Sequence, residues 1–268
     1  YGDSPYQSVS TFAGNPYFIS LEDLIEEKLL TREECESCDW GGSESYVDYE
    51  KMYMSRYKLL RKAYERSDFL KDKDYEIFLK EEKNWLTDYC LFMAIKNSQK
   101  GICWIDWPDE LKDRHSKAVK EAEKELETEI NFYRFQQYCF TTQWRKLKKY
   151  ANKKGISIIG DVPIYVALDS SDAWANPEML QFDKDHNPKS VAGCPPDAFS
   201  ATGQLWGNPL YDWKKLKASG YDWWVQRMKH CLELYDVVRI DHFRGFDEYY
   251  AIPYGEKTAR KGEWEKGP

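Results

Sequence analysis

Residues 237–246 read Val-Val-Arg-Ile-Asp-His-Phe-Arg-Gly-Phe, which sets a guanidinium (Arg239), a carboxylate (Asp241) and an imidazole (His242) almost side by side. Val237, Val238 and Ile240 are β-branched and apolar, and nothing before Asp241 breaks a strand. Strand side chains alternate, so Arg239 and Asp241 share one face. A guanidinium one pleat away favours the charged form of the carboxylate. An ionised, positioned carboxylate is what a nucleophile at a sugar carbon must be. The same residues also fit a structural Arg–Asp pair at a strand end, and the stretch alone does not separate the two readings.

The elements that would position this group are legible around it. A helical pattern over residues 223–234 precedes the strand, and a strand after a helix suggests a parallel α/β unit with Asp241 at the carboxyl end. Reactive groups sit at that end in such folds. Lys153-Lys154-Gly155 reads as a helix end with its cap. Residues 156–166, Ile-Ser-Ile-Ile-Gly-Asp-Val-Pro-Ile-Tyr-Val, follow as a buried strand that also delivers an acid, Asp161. Residues 170–175 read as a short helix. Residues 191–211 hold glycine and proline clusters that forbid a regular element and point to an ordered loop with Phe199 and Trp206 as aromatic platforms.

Upstream, residues 1–8 and 12–17 are turn formers without periodicity, and Ser20-Leu21-Glu22-Asp23 opens a short helix over residues 21–30 as a capping box. From about 47 to 155 the pattern is helical. Tyr53, Tyr57, Leu60 and Tyr64 form one stripe, and Tyr133, Phe140, Trp144, Leu147 and Ala151 another, both read as core packing. Residues 116–129 read as a solvated helix face. A weak strand candidate covers residues 249–253. The expected division is 1–46, an opening loop and short helix; 47–128, a helical insertion; and 129–268, the βα units with the nucleophile strand and the loop beside it.

Composition narrows the function. The 268 residues are 42% hydrophobic, which suits a globular chain, and the net charge of −7 argues against nucleic acid and anionic membranes. Aromatics reach 16%, with 11 Trp and 20 Tyr, an excess that suits core and sugar-ring stacking alike. The seven cysteines are odd in number and scattered, unlike a disulfide framework. Cys35 and Cys38 are the only close pair, and no second pair or histidine cluster completes a metal site. No leader pattern or membrane-length apolar run is present, so a reducing cytoplasm is expected.

Five motifs in order carry a resemblance: Gly2-Asp3-Ser4-Pro5-Tyr6-Gln7-Ser8; Phe12-Ala13-Gly14-Asn15-Pro16-Tyr17; Gly160-Asp161-Val162-Pro163-Ile164-Tyr165-Val166; Pro195-Pro196-Asp197 with Trp206-Gly207-Asn208-Pro209; and residues 239–246. Together they resemble the amylomaltases, the 4-α-glucanotransferases or disproportionating enzymes of glycoside hydrolase family 77. The likeness is strong over residues 1–25 and from about 129 onward.

The resemblance implies α/β architecture: a portion of a (β/α)8 TIM barrel with a large helical insertion, the barrel incomplete in this chain. A bare barrel takes about 250 residues, and here roughly the first 150 read as loop and helix. It implies a retaining transfer between maltooligosaccharides and other α-1,4-glucans, with glucose as an acceptor and no metal or cofactor. Asp241 falls on the nucleophile, Arg239 and His242 beside it, and Asp161 on an active-site acid. Tyr6 falls on the glucose subsites, and Asp197 and Trp206 on the loop over the glucan; Ser4, in the same motif as Tyr6, and Phe199, an aromatic of that loop, are further candidates for binding substrate. The family's acid/base glutamate and third aspartate match nothing in residues 1–268, and Glu248 and Glu263 do not take their places. The chain alone is therefore expected to turn over little. A non-catalytic α-glucan-binding fragment and an α-glucan hydrolase stand as alternatives.

Overall fold

The computed structural model describes Ser4 and residues 6–268. Tyr1, Gly2, Asp3 and Pro5, part of the first motif and of the expected opening loop, lie outside the described residues. Helices α1 (Leu21–Glu26), α2 (Arg32–Glu36), α3 (Tyr49–Arg66), α4 (Lys73–Glu81), α5 (Leu86–Ser98), α6 (Asp109–Lys112), α7 (Lys117–Glu125) and α8 (Glu127–Lys153) come first. Then follow β1 (Ile159–Val162), α9 (Ser171–Ala175), β2 (Ser190–Cys194), β3 (Gln204–Pro209), α10 (Trp213–Ala218), α11 (Asp222–Leu234), β4 (Val237–Ile240), β5 (Glu248–Pro253) and β6 (Glu263–Lys266). The chain is a mixed α/β protein in two compact units. One gathers the opening residues through Phe12 with Ile95–Glu125 and Ala151–Pro268; the other is Ala13–Ala94 with Leu126–Tyr150.

The second unit is helical and aromatic. Ser20 caps α1 by accepting from the Asp23 amide, and its hydroxyl donates to the Asp23 carboxylate, so this is a one-way cap rather than the reciprocal box that the spacing predicts. The reciprocal box occurs instead on α2, between Thr31 and Glu34. On α3, Leu59, Leu60 and Ala63 are buried. The Tyr64 ring packs on Phe132 and Phe135 of α8, with centroids 5.6 and 5.8 Å apart. Phe69 meets Tyr75 at 4.8 Å and Phe135 at 5.4 Å, within the range favoured by aromatic pairs. The expected stripes are partly displaced. Tyr53 and Leu147 are exposed, and α8 buries Ile130, Phe132, Tyr133, Phe135, Gln136, Gln137 and Cys139.

The first unit carries both sheets. β1 and β4 pair in parallel, with Asp161 opposite Arg239 and Gly160 opposite Val238. The Asp241 amide extends this ladder by donating to Val162 O at 2.8 Å. Asp236 fixes the entry of both strands, its carboxylate accepting from the Ile158 amide and from Asn152 Nδ2, each at 2.8 Å. A side chain at Gly160 would drive into the Tyr235 ring, so the close approach requires glycine. The second sheet is antiparallel, in the order β3-β2-β5-β6. Val191, Tyr250, Ile252 and Ala259 form its buried cluster.

Several expectations change. Residues 191–211 are not without regular structure: β2 and β3 pair across a bulge between Val191 and Gly193. Their punctuators fit the hairpin. Gly203 takes φ +70° where a Cβ would meet Cys194 O, and Pro209 lies on a sheet edge, where a missing donor costs little. The strand expected over 156–166 is only β1, and it is not buried throughout. Ile156, which precedes β1, is exposed, and so is Ile159, which lies on the same uncovered face of the strand as Asp161. The helix expected over 21–30 ends at Glu26, where Lys28 turns left-handed at φ +62°. β6 was not foreseen, since Glu-Trp-Glu-Lys carries a single apolar residue.

Candidate active site

The parallel pair β1/β4 aims Asp161, Arg239 and Asp241 from one open face. Arg239 donates through one terminal nitrogen to Asp161 Oδ2 at 2.6 Å and through the other to Asp241 Oδ1 at 2.7 Å. Tyr6 joins them by donating its hydroxyl to the same Asp161 Oδ2 at 2.9 Å. The guanidinium is held above its ordinary value, first by its hydrogen bond with Tyr6 and then by the charge of Asp161. The side chains are 57% (Arg239), 40% (Asp161) and 35% (Asp241) exposed, so a ligand can reach the group from solvent.

Buried neighbours fix the backbone on either side. Beyond β1 the chain bends at Ile164 and Tyr165. Arg227 of α11, 1% exposed, donates to the carbonyls of Pro163 and Ile164, and the Tyr211 hydroxyl donates to Ile164 O at 2.9 Å. On the other side Ser4 Oγ accepts from the Tyr6 amide at 3.3 Å and Ser4 O accepts from the Gln7 amide at 3.2 Å. Ser4 thus shapes the turn under Tyr6. Gln7 Nε2 donates to Asn208 Oδ1 at 2.9 Å, and Asn208 Nδ2 donates to Val166 O at 2.8 Å, which ties this turn to β3.

His242 follows Asp241 in a left-handed conformation, φ +50°. Its ring stands edge-on to Trp206, centroids 4.9 Å apart at 87°. Burial pushes the imidazole below its ordinary value and so favours the neutral ring, against the opposing pull of Asp241 toward the charged form. Its Nε2 is buried and has no partner among the described residues. Asp197 uses its carboxylate within its own loop, accepting from the Phe199 and Ser200 amides at 2.8 Å each, while the Phe199 ring is 99% exposed. Of the expected residues, the geometry therefore brings together Tyr6, Asp161, Arg239 and Asp241, and joins Trp206 to His242. Ser4 supports them, and Asp197 and Phe199 belong to the exposed loop. Glu248 is turned to Arg244 at 3.5 Å.

The sequence pattern does not mark Arg227, Gln7 or Asn208 as site residues. Gln7 and Asn208 stand inside the quoted motifs, next to Tyr6 and Trp206. Arg227 sits in a mixed helical pattern where a cation ordinarily reads as surface.

The profile of the 4-alpha-glucanotransferases, glycoside hydrolase family 77, matches residues 1–268. The chain belongs to this family. A 4-alpha-glucanotransferase from Clostridium butyricum is 49% identical across 100% of this chain, which covers 55% of that protein. One from Aquifex aeolicus is 45% identical, with 100% of this chain matched and 54% of that protein covered. Among solved structures, the amylomaltase of Streptococcus agalactiae in complex with acarbose superposes with a TM-score of 0.95 at 40% identity, over 100% of this chain and 55% of that one. The amylomaltase of Corynebacterium glutamicum, at 20% identity and TM-score 0.78, shares the fold. The chain spans about half the length of the 4-alpha-glucanotransferases it matches. Among the described residues no helix is long and apolar enough to cross a membrane.

Proposed function

We propose that Tyr6, Asp161, Arg239 and Asp241 bind and attack an α-1,4-glucan donor, and that Asp241 becomes the glycosyl ester of a retaining transfer. The carrying observation is the Arg239 fork. It turns Asp241 Oδ1 inward at 2.7 Å and leaves the second carboxylate oxygen for an anomeric carbon. In this step the Asp241 oxygen bonds to C1 as the glycosidic C–O bond breaks, and the departing oxygen takes a proton from a carboxylic acid. Asp161 is poorly suited to supply that proton, since its Oδ2 already accepts from both Tyr6 and Arg239. It suits the sugar hydroxyls of the donor instead.

An acceptor sugar hydroxyl, giving its proton to the carboxylate left by that proton-donating acid, then attacks C1, and the ester C–O bond breaks to regenerate the Asp241 carboxylate. The exposed Phe199 ring and Trp206 beside His242 support sugar stacking at the acceptor end, where excluding water favours transfer over hydrolysis. We read β1 and β4 as two strands of a larger (β/α)8 barrel, supported by their parallel pairing and by the chemistry at their carboxyl ends. We place the protein in a reducing cytoplasm, supported by its seven free cysteines.

The test uses α-maltotriosyl fluoride, whose fluoride leaves without a proton. The protein should become glycosylated on the peptide spanning residues 237–246, detected by mass spectrometry, and Asp241→Asn should carry no label. Labelling of another residue, or none in the unaltered protein, removes Asp241 as nucleophile.

A further inference from the structure

The segment that presents Tyr6 has few apolar anchors of its own. Its order comes from hydrogen bonds at three places. Gln7 is held by Asn208 and, at 3.4 Å, by Trp206 O. Val9 O accepts from the Ser171 amide at 2.8 Å and from Ser171 Oγ at 3.1 Å. The third anchor is a buried carboxylate. Asp172, 4% exposed at the start of α9, accepts from the Thr11 amide at 2.7 Å through Oδ2 and from Thr11 Oγ1 at 3.1 Å through Oδ1. Phe12 then seats its ring against Trp223 and its carbonyl 2.9 Å from His230 Nε2.

A fully buried aspartate is an uneconomical way to cap a five-residue helix, since Ser170 already caps α9 through the Ala173 amide. Both its oxygens face the Tyr6 segment. Its charge has one buried opposite nearby, Arg227, whose nitrogens hold the carbonyls that follow Asp161. Asp172 and Arg227 thus order the two backbone stretches that must meet for Tyr6 to reach Asp161.

We propose that Asp172 is a positioning residue for the glucan-binding group: it fixes residues 9–12 and, through them, the contact of Tyr6 with Asp161. This rests on the glucan-binding reading above. The test compares Asp172→Ala, Asp172→Asn and Thr11→Val in the full chain, using acarbose affinity by calorimetry and amide hydrogen exchange across residues 7–12. Asparagine can still accept from the Thr11 amide and donate to the Thr11 hydroxyl. Asp172→Ala should raise exchange and weaken acarbose binding, each about tenfold, the loss of a hydrogen bond to a charged acceptor, while Asp172→Asn keeps both within about twofold. Thr11→Val, which keeps the fold if Asp172→Ala does not, should show a smaller rise in exchange.

A double-mutant cycle supplies the readout that a structural role would not move. Because Asp172 acts through Tyr6, Tyr6→Phe/Asp172→Ala should bind acarbose as Tyr6→Phe does. An equal further loss in the Tyr6→Phe background, or equal losses in Asp172→Asn and Asp172→Ala, overturns the proposal. An unaltered protein that binds no acarbose would sink the glucan-binding reading instead, and exchange at residues 7–12 would still decide whether Asp172 holds the segment.

Discussion

The first unit holds two carboxylate–cation groups with similar N···O distances and opposite surroundings. Arg239 grips Asp161 and Asp241 at 2.6 and 2.7 Å with every partner at least a third exposed. Lys96 grips Asp169 at 2.6 Å with side chains only 9% and 7% exposed. The buried pair is saturated: Lys96 Nζ also donates to the carbonyls of Gly101 and Ile102, each at 3.0 Å, and Asp169 accepts from the Trp104 amide. Exposed ion pairs contribute about 0–1 kcal/mol, whereas a buried charge stripped of its partner costs several. Breaking Lys96–Asp169 would therefore cost stability, whereas breaking the solvent-facing Arg239 fork would cost little, which fits the role proposed for the fork in binding and chemistry.

The largest expected effect breaks the exposed group. Asp241→Asn should slow glycosylation by α-maltotriosyl fluoride by about four orders of magnitude, as for loss of a nucleophile. Its melting temperature should stay within about 2 °C, as expected when an exposed pair is lost. A variant that reacts at near-normal rate, or melts far lower, would erase the distinction between the two groups.

Next comes the buried group. Lys96→Met leaves Asp169 buried and unpaired and should cost about 3–5 kcal/mol in urea unfolding. The folded variant should keep its acarbose affinity within about twofold, since sites that share no partner behave additively. Affinity lost in step with stability would show that the buried pair also serves the site.

How far this contrast could be read beforehand differs by residue. Alternation along Val237–Ile240 was enough to put Arg239 and Asp241 on one face, and the preceding helical stretch was enough to suggest the parallel partner that β1 provides. Tyr6, Asp161 and Asp197 owed their site assignment to resemblance, because no local rule joins Tyr6 to an acid 155 positions away, whereas Phe199 and Trp206 stand out as aromatics in a stretch rich in glycine and proline. The β2/β3 hairpin was hidden by glycine and proline that a bulge and an edge strand absorb. Arg227 was hidden because a cation in a helix reads as solvated. Its burial depends on Trp223, Trp224 and two backbone carbonyls that only the fold assembles.

A third test uses pH to separate buried from exposed carboxylates. Burial raises Asp172 from 3.8 to about 6, so folding favours its neutral form. The stabilisation this gives is fully present below pH 3.8 and is lost as pH rises through about 6. Asp172→Asn stays neutral throughout. Its unfolding free energy relative to the unaltered protein should rise by about 3 kcal/mol between pH 3.5 and 7, followed by urea unfolding. A flat difference would mean that Asp172 is ionised in the fold without penalty, and would align it with Lys96–Asp169 as a fully compensated charge.

The smallest effect sharpens the comparison most finely. Arg239→Lys keeps the charge and removes the fork. A lysine ammonium is one compact point charge and cannot hold Asp161 and Asp241 from two fixed directions as a planar guanidinium does. Stability should move by less than about 0.5 kcal/mol, because an exposed pair is exchanged for another. Glycosylation by α-maltotriosyl fluoride should fall about tenfold, near 1.4 kcal/mol, from misdirection of the Asp241 carboxylate. If Arg239→Lys instead reacts normally, charge alone suffices at β4 and the geometry of the fork is incidental. If it loses stability on the scale of Lys96→Met, the exposed group is structural after all, and the chemistry must be sought elsewhere on the open face of β1 and β4.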